Sequence, residues 1–283
     1  GSGGRSPSPT LPAMPPVDQT RPLVMGVLNV TPDSFFDGGR YVRPADAVVH
    51  GKALIAAGAD VVDVGGESSR PGATRVGVAE ELARVIPVVR ALAGAVRISV
   101  DTTKAEVARR AVAAGATLVN DISGGLWPIA AELGVGWVAM HMQGTPADMQ
   151  RDPHYHDVVG EVRDVVLGLA DRAVDAGVPE VWVDPGIGFG KTVAHNLALL
   201  GALGDLARAA GARGCGVLVG TSRKAFLGQI SSPAACRPLA VDDRLEASLA
   251  TAAWSMLAGA GMVRVHDVEA TAQLAALVDR RAG

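Results

Sequence analysis

The stretch Val181–Thr192, VWVDPGIGFGKT, joins an apolar run to a carboxylate, a glycine-rich turn, an aromatic ring and a Lys-Thr pair. Its ending looks like a phosphate loop, but that motif needs a glycine, any four residues, then Gly-Lys-Ser/Thr. Pro185 stands in the place of the first glycine, Gly186 is one residue too close, and Asp184 puts negative charge where a phosphate would be wrapped. The stretch therefore reads as a short buried strand that delivers Asp184 to an open end, followed by a turn that presents Phe189.

Seven more runs have the same apolar character: Leu23–Asn29, Asp60–Gly65, Val96–Asp101, Thr117–Asp121, Gly136–His141, Gly216–Ser222 and Met262–His266. Between them apolar residues recur at helical spacing, as in Leu82, Ile86, Val89 and Leu92 opposite Glu81, Arg84 and Arg90, the pattern of an amphipathic helix. Thr103 with Glu106 predicts a capping box, Asp243 with Glu246 a weaker one, and Gly58, Gly115, Gly177 and Gly211 sit where helices should stop. Eight buried strands alternating with helices over about 250 residues predict an α/β fold, a closed (β/α)8 TIM barrel in a single domain. The rival, an open doubly wound sheet, usually carries a glycine fingerprint after its first strand. Here Asn29-Val-Thr-Pro-Asp-Ser-Phe follows instead.

Composition narrows the partners. With 283 residues, 48% hydrophobic but only 4% aromatic, the core must be built from Ala, Val, Leu and Ile. A net charge of -3 without a basic stripe argues against nucleic acid and for small-molecule substrates. Cys215 and Cys236 lack the spacing of a disulfide framework or metal site, which predicts a reducing, cytoplasmic setting. The uncharged run Ala247–Val263 is rich in small residues and reads as a buried helix running into a strand, with no membrane association. Residues 1–21 are rich in Gly, Ser and Pro and are expected to be a disordered N-terminal tail, with Gly1–Gly4 as a cloning scar; residues 22–283 are expected to be the barrel.

Each run finishes in polar groups: Asn29, Asp63, Asp101, Asn120, His141, Asp184, Ser222 with Lys224, and Arg264 with His266. Any one of these Asp or Asn residues could merely cap a turn. In a barrel, however, parallel strands bring them all to the face where active sites are built. Asp101, Asn120 and Asp184 offer the acceptors, with one amide donor, that suit a flat heterocycle with an amidine-like edge. Lys224 and Arg264 add positive charge, and a guanidinium can stack on a ring. Asn29, Arg70, Arg264 and His266 could hold a phosphate or diphosphate, a combination that a magnesium ion fits through its preference for oxygen ligands.

Two long connections, Thr31–Pro44 and Glu67–Gly77, read as lids carrying Asp33, Phe35, Asp37, Ser68, Ser69, Arg70 and Pro71. His154 and His156 have the look of a metal pair without a clear third ligand. The four tryptophans, Trp127, Trp137, Trp182 and Trp254, are expected to be packing residues. Lys224 could alternatively serve as a Schiff-base lysine.

In order and spacing, Asn29-Val-Thr-Pro-Asp-Ser-Phe, Asp63-Val-Gly-Gly-Glu-Ser-Ser-Arg-Pro-Gly, Asn120-Asp-Ile-Ser-Gly-Gly, Asp184-Pro-Gly-Ile-Gly-Phe-Gly-Lys, Thr221-Ser-Arg-Lys and Arg264-Val-His-Asp resemble the bacterial dihydropteroate synthase family. The resemblance spans about residues 23–282 and implies a pterin-binding barrel. It implies condensation of 7,8-dihydropterin-6-ylmethyl diphosphate with 4-aminobenzoate to give 7,8-dihydropteroate and diphosphate in folate biosynthesis. Carried over by motif, Asp101, Asn120, Asp184 and Lys224 would hold the pterin with Arg264 beside it. Ser69, Arg70, Arg264 and His266 would meet the diphosphate, and Asn29 the magnesium. Phe35, Asp37, Arg70, Pro71, Phe189 and Ser222 would surround the aminobenzoate, and Asp37, Arg70, Lys224 and Arg264 would form the catalytic set. Ser69 replaces a threonine common in the family but keeps the hydroxyl. The resemblance also implies a homodimer and inhibition by sulfonamides. The alternatives are a pterin-binding methyltetrahydrofolate methyltransferase and a non-catalytic pterin-binding paralogue. Lys191 is given no chemical role.

Overall fold

The apolar runs form eight strands: β1 (Leu23–Asn29), β2 (Val61–Gly65), β3 (Arg97–Asp101), β4 (Leu118–Asp121), β5 (Gly136–Met140), β6 (Val181–Asp184), β7 (Gly216–Val219) and β8 (Met262–Val265). The computed structural model describes residues 21–31, 44–68, 75–232 and 237–278. The strands close into a barrel in sequence order, β8 pairing back onto β1, and the pairs are parallel throughout. Parallel neighbours need a crossover between them, usually a helix. These are α1 (Pro44–Ala56), α2 (Val78–Leu92), α3 (Ala105–Ala113), α4 (Trp127–Leu133), α5 (Val158–Asp175), α6 (Val193–Gly201), α7 (Leu203–Gly211), α8 (Ala225–Ile230), α9 (Leu245–Leu257) and, after β8, α10 (Val268–Leu277).

The period-two alternation of a strand splits the core in two. Outward side chains such as Val24, Val62, Val64 and Val183 pack under the helices against Val85, Val89, Val107 and Ala170. Inward ones, Met25, Val61, Leu118, Val138, Trp182, Leu218 and Met262, fill the barrel. On β3 the inward positions ascend as Arg97, Ser99 and Asp101. Arg97 at the lower end donates to Glu180 (Nη1 to Oε1, 3.0 Å), whose Oε1 also accepts from the Trp182 indole at 2.6 Å. A charged pair therefore stoppers the floor, and Asp101 is carried to the opposite end.

The sequence reading needs local corrections. Neither predicted capping box forms: the residue before α3 is Lys104, without a side-chain cap, and Glu106 pairs instead with Arg110 at 2.8 Å. Before α9 Asp243 ends a 3-10 turn, and Arg244 at the N-cap makes no side-chain cap either. The capping box that does form is Thr192 with His195 on α6. Gly211 is the last residue of α7, as read, and it is Gly214 that takes the left-handed turn that follows. The run Ala247–Val263 is a helix leading to a strand, as read, but α9 is not wholly buried: Trp254 is 56% and Leu257 71% exposed. Arg21, read as part of the tail, is fixed to Asp60 at 2.9 Å. Among the described residues no helix is long and apolar enough to cross a membrane.

Candidate active site

Three strands meet at one carboxylate, and a fourth joins through an arginine. Asp63, inward on β2, is fully buried, and its Oδ2 accepts from Asn120 Nδ2 on β4 (2.9 Å) and Arg264 Nε on β8 (2.7 Å). Arg264 Nη2 donates onward to Asp101 Oδ2 on β3 at 2.8 Å. The register makes this possible, since Asp101 lies opposite Asn120 and Asp63 opposite Ser99. Burial pushes the Asp101 carboxyl up to about 7, with Arg264 pulling the other way and Asp63 adding to the rise. Burial is the largest single effect on Arg264 and lowers its pKa, but Asp63, Asp101 and Asp184 together hold it above its ordinary value. With one amide hydrogen given to Asp63, Asn120 has its carbonyl left for a ligand. Asn29, at the end of β1, flanks the same patch: a Cβ built on Gly65 would lie 3.4 Å from Asp101 Cβ and 3.6 Å from Asn29 Oδ1.

The second half comes from β6 and β7. Asp184 ends β6 almost completely buried, its Oδ1 accepting from the Gly186 amide at 2.7 Å. Burial raises its pKa, while Lys224, the Gly186 amide, Lys191 and Arg264 oppose the rise. Lys224 reaches the Ile187 carbonyl and places Nζ 4.0 Å from the centre of the Phe189 ring. Burial pulls this lysine down to about 7 against the attraction of Asp184. Its backbone is set by a turn in which Arg223 takes a left-handed φ of 58°, a costly conformation for a residue with a side chain. The turn is tied down by Arg223 donating to Asp267 (3.0 and 2.6 Å) and by Arg244 donating to the Arg223 carbonyl (2.9 Å). Ser222 Oγ lies 3.1 Å from both the backbone nitrogen and Nδ1 of His266, stitching the ends of β7 and β8.

The glycine turn is not a phosphate cradle. Its amides are used internally: Gly188 donates to Asn196 Oδ1 (2.7 Å) and Phe189 to the Gly186 carbonyl (3.0 Å). A cavity of about 670 Å³ opens on the β3–β5 side, with Asp101, Lys104, Ile122, Met140, His141 and Arg172 in its wall. That is within the roughly 300–1,000 Å³ of small-molecule sites.

Of the residues expected at the site, Asn29, Asp101, Asn120, Asp184, Phe189, Ser222, Lys224, Arg264 and His266 stand at this end of the barrel. Phe35, Asp37, Ser69, Arg70 and Pro71 lie outside the described residues, as does Cys236. His141 stands in the cavity wall with its Nδ1 taken up 3.0 Å from Lys191 Nζ. Lys191 itself is only 3% exposed. A lysine in a glycine-rich turn reads as solvated, and nothing local in the sequence signals its burial. Asp63 was visible as a strand-end polar residue, but its orienting role needed partners 57 and 201 positions away. His154 and His156 meet edge to face at 5.2 Å, and among the described residues no group of three His, Cys, Asp or Glu side chains is arranged to hold a metal. Cys215 is a buried thiol whose pKa is raised by burial.

Comparison with known proteins gives a consistent result. The family described as "Pterin binding enzyme" matches residues 25–266. The dihydropteroate synthase of Mycobacterium leprae is 50% identical over 259 residues, covering 88% of this chain and 89% of that protein. The Escherichia coli dihydropteroate synthase is 44% identical over 271 residues, 93% of each. Among solved structures, Yersinia pestis dihydropteroate synthase in a sulfonamide drug complex superposes with a TM-score of 0.85 at 41% identity, covering 94% of this chain and 97% of that one. Xanthomonas albilineans dihydropteroate synthase in complex with 7,8-dihydropteroate gives 0.79 at 40%, covering 92% and 94%.

Proposed function

The chain belongs to the dihydropteroate synthase family of pterin-binding enzymes, and from that membership we propose how its own residues divide the work. The reaction condenses 7,8-dihydropterin-6-ylmethyl diphosphate with 4-aminobenzoate to give 7,8-dihydropteroate and diphosphate in folate biosynthesis.

The observation that carries the assignment of roles is the network in which Asp63 orients Asn120 and Arg264 while Arg264 holds Asp101. Groups fixed before the substrate arrives need no reorganisation when charge develops. Asp101, Asn120 and Asp184 hold the edge of the pterin, and Lys224 lies between that ring and Phe189. As the bond from the exocyclic methylene to the diphosphate oxygen breaks, positive charge spreads into the pterin and is stabilised by Asp101 and Asp184. Arg264, His266, Ser69 and Arg70 take the departing diphosphate. The aniline nitrogen then forms the new bond to the methylene carbon and loses a proton. Phe35, Asp37, Arg70, Pro71, Phe189 and Ser222 surround the aminobenzoate, with Asp37 and Arg70 completing the catalytic set of Lys224 and Arg264. Magnesium is expected on Asn29, whose amide oxygen at the mouth suits an ion that takes few protein ligands and shares the rest with phosphate; bound there it would supply charge neutralisation of the leaving group.

A homodimer and a cytoplasmic location belong to the same reading. The dimer is supported by exposed Trp254 and Leu257 on α9 and Leu197 on neighbouring α6, joined by the Trp254 indole donating to Leu200 O at 2.8 Å. The buried thiol Cys215 suits a reducing compartment.

The test is direct. Purified protein with magnesium and the pterin diphosphate should release diphosphate only when 4-aminobenzoate is added, and sulfonamides should compete with the aminobenzoate. A covalent pterin-protein adduct trapped in mid-reaction would overturn the dissociative account, and turnover unaffected by sulfonamide would overturn the placement of the aminobenzoate pocket.

A further inference from the structure

The turn that presents Phe189 is held by its carbonyls. Ile187 O accepts from Lys224, Gly188 O from Gln150 Nε2 (2.7 Å), Phe189 O from Lys191 Nζ (2.9 Å) and Gly190 O from the Tyr155 hydroxyl (2.8 Å). Four consecutive carbonyls in an irregular segment therefore each meet a different side chain. Two of those side chains, Gln150 and Tyr155, come from the connection between β5 and α5.

The turn also lies directly on that connection. A Cβ on Gly186 would sit 1.8 Å from the His141 carbonyl and one on Gly190 2.5 Å from the Gln143 carbonyl, and both glycines have left-handed φ angles. Only glycine lets the two backbones come so close. The connection is braced in turn, since the Gln143 amide bridges both the backbone nitrogen (3.0 Å) and carbonyl (2.8 Å) of His154.

Beneath the turn sits a small buried cluster that the reaction does not use. The Tyr155 ring lies 5.9 Å from His141 and 5.0 Å, edge to face, from His195. Lys191 Nζ is 6.0 Å from the Tyr155 ring centre and has three acceptors in reach: Phe189 O, His141 Nδ1 at 3.0 Å and His141 O at 3.5 Å. An ammonium has three hydrogens to give. Burial and Lys191 keep His141 neutral, down to about 4, so its Nδ1 is available as an acceptor.

We propose that Tyr155 and Lys191, assisted by Gln150, are positioning residues for the aminobenzoate pocket: they fix the 186–190 turn on the β5–α5 connection and so set where the Phe189 ring stands. They touch no substrate, and they act on the second substrate through Phe189 alone. The pterin-facing carboxylate Asp184 is bonded to the Gly186 amide at the opposite end of the same turn and feels the Lys191 charge, so Tyr155, which bonds the turn at Gly190, is the residue whose change separates the two substrates. The proposal rests on the reading that Phe189 lines the aminobenzoate pocket.

Steady-state kinetics with both substrates, on full-length Tyr155→Phe, Lys191→Met, Phe189→Ala and the two doubles with Phe189→Ala, tests it. Tyr155→Phe removes one hydroxyl and keeps the ring packed, so it tests the idea even where Lys191→Met does not fold. Loss of one hydrogen bond predicts a rise of about three- to tenfold in KM for 4-aminobenzoate, with KM for the pterin diphosphate moving less than about twofold. Lys191→Met, which removes up to three bonds, predicts a larger rise of the same kind. In the Phe189→Ala background both substitutions should lose their effect on that KM, since the ring they position is gone. A purely structural role would instead move both KM values or kcat alike and would persist in the double variants. If Phe189→Ala raises the aminobenzoate KM but Tyr155→Phe does not, the positioning proposal fails while the pocket assignment stands. If Phe189→Ala leaves that KM unchanged, the pocket assignment fails and the proposal with it.

Discussion

Replacing Asp63 by Asn removes one charge and almost no volume from the centre of the site. Two donors converge on the same carboxylate oxygen, Asn120 Nδ2 at 2.9 Å and Arg264 Nε at 2.7 Å. An amide oxygen in its place still accepts from both, but as a neutral acceptor. Hydrogen bonds to charged groups contribute about 1.5–3 kcal/mol and neutral ones about 0.5–1.5 kcal/mol; the Asn120 bond becomes neutral while the Arg264 bond keeps its charged donor, so the change should cost about 1–1.5 kcal/mol. Urea unfolding of ligand-free protein measures it. Because Asp63 also raises the pKa of Asp101, the variant should titrate Asp101 below its position near 7, seen as an acid-ward shift in the pH profile of pterin binding. Looser Arg264 and Asn120 side chains should lower kcat/KM by roughly 10- to 100-fold, a tenfold loss corresponding to about 1.4 kcal/mol. A stability change under about 0.5 kcal/mol, or a profile displaced to higher pH, would refute the view that Asp63 orients the site.

Three other outcomes follow from the same structure. Gly186→Ala sets a methyl 1.8 Å from the His141 carbonyl at a φ of 66°, so unfolding free energy should drop by more than about 3 kcal/mol; a loss below about 1 kcal/mol contradicts the packing described. Lys191 is drawn from 10.5 down to about 7, chiefly by burial, with Asp184 opposing and Lys224 assisting. The unfolded chain therefore binds more protons between those values, so wild-type stability relative to Lys191→Met should rise with pH across that window, approaching about 1.4 kcal/mol per unit. Urea midpoints at several pH values check this, and a falling difference would reverse the sign. Trp254→Glu places charge on the exposed face of α9, and if the proposed dimer pairs through this face, light scattering should find the parent dimeric and the variant monomeric; an unchanged dimer would move the interface elsewhere.

The barrel was legible because its strands are buried on both faces and carry their sidedness in plain apolar runs, from Leu23–Asn29 to Met262–Val265. Strand ends were legible for the same reason: a polar residue closing such a run, as Asp184 does, has few places to go but the mouth. Caps were less so. Thr103 with Glu106 has the residues of a capping box, yet Lys104 is engaged by Glu67 and Glu81 and sets the start of α3. What remained hidden depends on distant partners. That Lys191 is enclosed, and that Asp63 binds Asn120 and Arg264, are facts about side chains brought together by closure of the barrel.

The Arg97–Glu180 stopper has a consequence for traffic. With the floor closed by that pair and the interior filled by Met25, Trp182, Leu218 and Met262, the described residues leave the upper mouth as the door of the barrel. Two substrates enter through it, and two products of very different polarity leave by it. On the proposed placement of the pterin at Asp184, lingering dihydropteroate would block the next pterin as surely as an inhibitor, and the expected pace of turnover is tied to how quickly one opening is cleared.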